Sequence, residues 1–270
     1  MQTPSPTGTV LDRILEARFH EVEHRKKVLP ETALKYGVKA ATPLRNFAAA
    51  LLKPGTNVIA ELKPASPSRG VIREPFDPIA LATSLESAGA TALSVLTEGE
   101  FFRGSLKNLR DARKSVQLPV LRKDFIFDPW QVWETRANDA DSFLLIVAAL
   151  RDPQLAELIA LGRELGMEPL VEVHTREELS RAIAAGSKII GVNNRNLKTL
   201  DVRVETSFEF IEQIPDDCIA VSESGIGATD ELANLRSAGF DAFLIGTYLM
   251  LSADPAAALT GLLGSKPEGA

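Results

Sequence analysis

Eight short runs dominated by Val, Ile and Leu recur from Asn57 to Gly246: VIAEL, TALSVL, PVLR, SFLLIV, PLVEV, KIIGV, CIAVS and AFLIG. Each is followed by a longer stretch of helical composition. Runs that are apolar throughout, rather than alternating, suit strands covered on both faces, which is the situation of a parallel sheet wrapped by helices. Eight such units in about 210 residues fit a closed (β/α)8 TIM barrel better than a doubly wound sheet. The polar residues agree. Glu61 and Lys63, Thr97 and Glu98, Lys123 and Asp124, Glu172, Asn193 and Arg195, Glu223 and Ser224, and Gly246 and Thr247 all stand at or just beyond the ends of apolar runs. In a barrel those ends converge on the C-terminal mouth, where such folds keep their chemistry.

With 270 residues, 45% of them hydrophobic, the chain can bury one large core, and we expect a single barrel domain. Its parts are an extension over 1–56, the barrel over 57–263 and a tail over 264–270. Leu11, Ile14, Leu15, Phe19 and Val22 recur at helical spacing, which predicts an amphipathic helix over residues 10 to about 28, ended by Pro30. Its apolar stripe must be buried, and we expect it to lie across the C-terminal mouth. Residues 1–9 and the tail from Gly264, rich in Pro, Gly, Ser and Thr, are expected to fray. The formal net charge of -6 leaves no electrostatic footprint for nucleic acid or an anionic membrane, so an anionic ligand needs a local basic site. Cys218 is the single cysteine and reads as a small buried hydrophobe in the run CIAV. The first nine residues carry neither a basic nor an apolar targeting signal, and no apolar run reaches membrane-span length. A soluble, cytoplasmic protein is expected.

The segment AELKPASPSRG puts Glu61 and Lys63 on one face of a strand, able to share a pocket or to form a surface ion pair at a strand end. LRKDFI supplies a second lysine, Lys123, with Phe125 as an aromatic wall. Glu172 lies inside the fifth run, where a carboxylate is costly to bury without a partner. A lysine and a carboxylate converging in a partly desolvated mouth can be tuned for general acid and base work. The last two units carry SESGIG and LIGTY, whose glycines and helix-start amides can cradle a phosphate or simply form tight turns. SGIG is not a dinucleotide fingerprint, since Asp230 stands where a third glycine would be needed. His20 and His24 formally match the H-E-x-x-H zinc pattern, but their helix lies outside the barrel repeat among many charges, and no metal is expected. His174 reads as a loop residue capping the next helix. Arg25, Lys26 and Lys27 read as a solvated helix end.

The segments AELKPASPSRG, SVLTEGEFFRGSL, LPVLRKDFI, LLIVAAL, PLVEVHT, IIGVNNRNL, VSESGIG and AFLIGTYLM resemble, in order and across essentially the whole barrel, the indole-3-glycerol-phosphate synthases. The N-terminal helix resembles that family's extra helix over the mouth. The resemblance implies ring closure, decarboxylation and dehydration of 1-(2-carboxyphenylamino)-1-deoxyribulose 5-phosphate to indole-3-glycerol phosphate in tryptophan biosynthesis, with no cofactor. It implies that Lys123 is the general acid and Glu172 a general base, with Lys63, Glu61, Asn193 and Ser224 completing the catalytic set. Ser66, Phe102, Phe125, Arg195, Glu223 and Leu244 match positions lining the substrate. Gly225, Gly246 and Thr247, with Ser224, match the phosphate cradle. The expected partner is a small phosphorylated substrate, with no nucleic acid or membrane; protein partners are not legible. Pro64, Asn196 and Thr247 depart from the residues common in the family, and none of the three removes a catalytic group.

Two other readings share the phosphate loops. Another phosphate-binding barrel enzyme, such as phosphoribosylanthranilate isomerase or the tryptophan synthase α-subunit, needs different acid and base residues. A barrel that binds phosphate esters without catalysis has no use for both Lys63 and Lys123.

Overall fold

In a computed structural model, which describes residues 2–264, eight parallel strands close into a barrel. They are β1 (Asn57–Leu62), β2 (Ala92–Leu96), β3 (Val120–Lys123), β4 (Ser142–Ile146), β5 (Leu170–Val173), β6 (Ile189–Asn193), β7 (Ile219–Glu223) and β8 (Ala242–Ile245). The seam closes where Asn57–Ala60 pairs with Ala242–Ile245. Each apolar run predicted from the sequence lands on a strand, with ends shifted by a residue or so.

Two apolar layers account for the continuous hydrophobicity of the strands. Outward side chains such as Val58, Val95, Val171 and Ile245 pack under the helices, while inward ones, among them Ile59, Leu121, Leu170 and Val221, fill the barrel. Side chains alternate along a strand, so two residues further on the inward face comes Glu61, Lys123, Glu172 and Glu223. The functional layer thus stands directly on the apolar plug. The N-terminal end of the barrel is stoppered by the short helix Phe47–Leu51, whose Phe47 and Leu51 join the interior cluster. Asn57 Nδ2 ties that stopper to the strands by donating to the carbonyls of Leu51 (2.8 Å), Lys53 (3.0 Å) and Asp241 (3.1 Å).

The predicted N-terminal helix spans Leu11–Val28 and buries Leu11, Ile14, Leu15, Arg18 and Val22. Val10, Leu11 and Ile14 form part of the wall of the cavity at the C-terminal mouth. The chain resumes after Pro30 in a second helix, Glu31–Val38, which the sequence pattern did not reveal, and a small antiparallel hairpin, Ala65–Ser66 with Gly70–Val71, follows β1. Among the described residues, no helix is long and apolar enough to cross a membrane.

Three expectations need correction. Residues 2–9 are pinned rather than frayed: Ser5 N–H donates to the Ala149 carbonyl at 2.8 Å, and Thr7 and Gly8 amides donate to the Asp12 carboxylate at 2.6 and 2.9 Å. A first-turn acid here hooks the preceding segment back over the helix start. Arg25 and Lys26 are not a solvated end: Arg25 lies 5.6 Å from the Trp130 ring centroid and pairs with buried Glu134, and Lys26 pairs with Asp128 at 2.8 Å. Cys218 is half-buried at the core edge rather than fully inside, its thiol directed at the Ser187 carbonyl. Beyond Gly264, the tail expected to fray lies outside the described residues.

Candidate active site

The mouth of the barrel holds a cavity of about 480 Å³, within the range of small-molecule sites. Every site residue singled out in the sequence lines it: Glu61, Lys63, Ser66, Phe102, Lys123, Phe125, Glu172, Asn193, Arg195, Glu223, Ser224, Gly225, Leu244, Gly246 and Thr247.

Its floor is a set of interleaved charges. Lys123 Nζ donates to Oε2 of Glu172 and to Oε2 of Glu223, both at 2.8 Å, and Lys63 Nζ pairs with Oε1 of Glu61 at 2.7 Å. The surface ion pair considered for Glu61 is thereby excluded, for its carboxylate is almost fully buried. Glycines on the neighbouring strands make room for these carboxylates. A β-carbon at Gly191 would stand 2.1 Å from Glu223 Oε1, and one at Gly246 would stand 2.3 Å from Glu61 Oε1.

Burial opposes the charge on Lys123, but Glu172, Glu223 and Glu61 outweigh it and hold the ammonium well above its ordinary range. The two carboxylates on Lys123 diverge. Burial would raise Glu172, yet Lys123 and His174 hold it well below the usual carboxylate range. Burial pushes Glu223 up to about 7, Lys123 opposing and Glu172 adding to the rise. Glu223 Oε1 has no hydrogen-bond partner. Two carboxylates pushed apart by their surroundings are the raw material for separate acid and base roles. Read from sequence as a substrate contact, Glu223 is as close to Lys123 as Glu172 is.

The walls are held by Glu98, which the sequence placed at a strand end without a role, and by Asn194, which it did not single out. Buried Glu98 accepts from the amides of Glu100 (2.8 Å), Phe101 (2.8 Å) and Phe102 (3.0 Å), which fixes the loop that presents Phe102 5.8 Å from Phe125 between ring centroids. Asn194 Nδ2 donates to the Ser224 carbonyl at 3.0 Å and its Oδ1 accepts from Ser207, anchoring the loop that carries Gly225. Ser224 and Gly225 both adopt positive φ, 70° and 86°, which turns the chain sharply where it leaves β7. Just before the next helix, Thr229–Ser237, the amides of Gly227 and Ala228 are taken by the Glu231 carboxylate at 2.9 and 3.1 Å. Asn196 Oδ1 accepts from the amides of Lys198 and Thr199, closing a turn beside Arg195.

Asp124, the residue after Lys123, anchors the N-terminal helix. Its Oδ2 accepts from Arg18 at 2.7 Å, Arg122 at 2.8 Å and Thr97 at 2.5 Å, all buried. Burial works against the charge, but Arg18 and Arg122 bring the carboxyl down to about 2.

The capping role read for His174 belongs instead to Thr175, whose Oγ1 accepts from the Glu178 amide at 3.1 Å. The His174 ring is buried at the back of Glu172, with Nε2 3.2 Å from Glu172 Oε1. His20 and His24 are exposed, and among the described residues no three His, Cys, Asp or Glu side chains gather as a metal site.

A family model described as indole-3-glycerol phosphate synthase matches residues 11–262. An indole-3-glycerol phosphate synthase of Rhodococcus opacus (strain B4) is 48% identical over 257 residues, covering 95% of this chain and 96% of that one. One from Koribacter versatilis (strain Ellin345) is 47% identical over 260 residues, covering 95% of this chain and all of its own. Among solved structures, a 3-hexulose-6-phosphate synthase superposes with a TM-score of 0.63 at 14% identity, covering 77% of this chain and 98% of that one, a likeness of fold alone.

Proposed function

The chain belongs to the indole-3-glycerol phosphate synthase family, and from that premise we propose that it converts 1-(2-carboxyphenylamino)-1-deoxyribulose 5-phosphate to indole-3-glycerol phosphate, carbon dioxide and water. It is then a carbon-carbon lyase of tryptophan biosynthesis, acting in the cytoplasm on a small phosphorylated substrate. The observation that carries the reading is Lys123 held 2.8 Å from both Glu172 and Glu223, two buried carboxylates of unlike proton affinity, beside the Lys63–Glu61 pair in the mouth of the barrel.

The ring carbon bearing the carboxylate attacks the ketone carbon of the sugar chain, and Lys123 gives its proton to the ketone oxygen. Donation stabilises the negative charge developing there, in a site where solvent does little of that work. Carbon dioxide leaves with the electron pair returning to the ring, which restores aromaticity. The hydroxyl then departs as water while a base removes a proton from the methylene beside nitrogen, forming the last double bond of the indole. Glu172 is the base, with Glu61 and Lys63 assisting departure of the hydroxyl. Once Lys123 has given up its proton, Glu172 loses that cation's hold and becomes more basic, so the two transfers are ordered by the same contact.

Phe102 and Phe125 wall the aromatic ring, with Ser66, Leu244 and Arg195 lining the rest of the substrate and Asn193 oriented by accepting the Arg195 amide at 3.0 Å. Ser224 and Gly225, with Gly246 and Thr247, form the phosphate cradle, and Lys63 supplies the nearby charge. Holding a flexible chain in its reactive fold is much of the task. Incubation with the aminodeoxyribulose phosphate while indole fluorescence is recorded tests the proposal; a flat trace with folded protein rejects it.

A further inference from the structure

His174 follows the last residue of β5, two residues before the start of the helix Arg176–Ala184, and its side chain is only 5% exposed. Each ring nitrogen faces a carboxylate. Nε2 stands 3.2 Å from Glu172 Oε1 and Nδ1 stands 3.3 Å from Glu178 Oε2. The first contact is one of charge with charge, since Nε2 has no acceptor along its hydrogen-bond direction. A neutral imidazole has one N–H and one lone pair, so in this place it would turn a lone pair on one of two carboxylates. Only the imidazolium sets no lone pair against either carboxylate and offers both a positive charge. Burial opposes that charge, but the two glutamates prevail and raise the ring to about 9.

The clamp is rigid on its far side. Glu178 Oε2 also accepts the His174 amide at 2.8 Å, and the Glu178 amide is bonded to Thr175 at the helix start. Other charges nearby are engaged elsewhere: Arg181 turns to the carbonyls of Val147 and Leu150 and to Asp152, and Lys123 meets this group only across Glu172. Glu172 is therefore divided between two cations, Lys123 on Oε2 and His174 on Oε1.

We propose that His174 is a positioning residue, an imidazolium clamped between Glu172 and Glu178 that keeps the Glu172 carboxylate ionised and aimed at Lys123 and the substrate. This rests on the reading that Lys123 and Glu172 carry the proton transfers. In a poorly solvated mouth the proton of Lys123 has two destinations, the ketone oxygen and the adjacent carboxylate. A cation on Oε1 makes the second unfavourable and so reserves the proton for substrate. After the transfer, with Lys123 neutral, His174 is the one charged partner left holding Glu172 in place for the methylene proton.

The experiment joins nitrogen NMR to a double-mutant cycle. The chain has three histidines, and in a His20→Gln/His24→Gln background the single remaining imidazole should show both ring nitrogens protonated at about pH 7.5, a state lost in Glu178→Gln. His174→Ala should lower kcat by up to about 10²-fold, the scale of an ångström's misplacement, with KM moving less than about twofold. Added to Glu172→Gln, the same change should cost little more, because it acts through Glu172. A neutral ring in the parent protein, additive losses in the cycle, or unaltered kcat in His174→Ala overturns the proposal. Should His174→Ala not fold, the nitrogen signal of the parent protein and the kcat of Glu178→Gln decide: a doubly protonated ring in the parent with a reduced kcat in the variant supports the proposal, and a neutral ring in the parent or an unaltered kcat in the variant rejects it. A wild-type enzyme that leaves substrate unconverted rejects the reaction itself, and the nitrogen signal still shows whether the clamp is charged.

Discussion

Gly246 and Glu61 face one another across the seam of the barrel so closely that a β-carbon on Gly246 would lie 2.3 Å from Glu61 Oε1 and 2.9 Å from Glu61 Cβ. The glycine is buried and carries an ordinary φ of -123°, so it is the space and not the backbone that excludes a side chain. Gly246→Ala should therefore displace Glu61 and loosen its pair with Lys63. We expect kcat to fall on the order of 10²-fold, the scale of an ångström's misplacement, in addition to any rise in KM from the phosphate cradle. Steady-state kinetics separate the two. A change confined to KM would mean that Glu61 does not need its present position.

Lys123 and Glu172 should matter to turnover far more than to binding. An interaction made only in the transition state lowers kcat and kcat/KM together and leaves KM nearly alone. Lys123→Ala and Glu172→Gln should each cost about 10² to 10⁴ in kcat, the range of a positioned acid or base. Lys63→Ala should differ, raising KM as well, since its charge serves both Glu61 and the phosphate. With circular dichroism confirming the fold, near-normal kcat in Lys123→Ala would refute the general-acid role.

Activity should survive exhaustive chelation, because the ring closure, decarboxylation and dehydration proposed are assisted by side-chain acids and bases, and His20 and His24 are exposed with no third ligand gathered beside them among the described residues. Turnover before and after EDTA, with metal analysis of the purified protein, checks this. Stoichiometric zinc with EDTA-sensitive turnover would contradict it.

What the sequence made legible was whatever repeats or stands at a strand end. Ile59, Leu121, Leu170 and Val221 sit in apolar runs that report strands directly, and the polar residue two positions on is inward by the period of the strand alone. The helices Glu31–Val38 and Phe47–Leu51 escaped because eight and five residues give too little periodicity to separate from a loop. Residues that matter through a partner far along the chain also escaped. Arg18 meets Asp124 across 106 positions, and Lys26 meets Asp128 across 102, so nothing local distinguishes them from solvated helix charges. His174 was misread for a related reason: its neighbour Thr175 gives the same N-cap signal, while the ring's burial between two glutamates appears only once β5 and its helix are folded together.

The Arg18 to Asp124 pair offers a test of how the N-terminal helix is coupled to the catalytic strand, and of acid stability with it. Arg18 is 1% exposed and Asp124 equally buried, so Arg18→Met leaves a buried carboxylate with Arg122, Thr97 and the Phe125 amide as its remaining anchors. Removing one partner of a buried pair costs about 3 to 5 kcal/mol, and Arg122 should hold the loss near the lower end. The sign with pH follows from the lowered carboxyl. Asp124 titrates near about 2 in the fold against 3.8 when unperturbed, so its contribution is fully present above pH 3.8 and is lost as pH falls through about 2. Without Arg18 the carboxyl rises toward its ordinary value and less of that contribution remains to be lost. Chemical denaturation at neutral pH and at a series of acid pH values should therefore show Arg18→Met less stable throughout, with a gap to wild type that narrows as the pH approaches 2. Because Lys123 is the preceding residue, the variant should also lose kcat at neutral pH while still folded. A gap that widens in acid, or a stable variant with unchanged turnover, would mean that the helix is held by its apolar stripe alone and that Asp124 has another source of its low pKa.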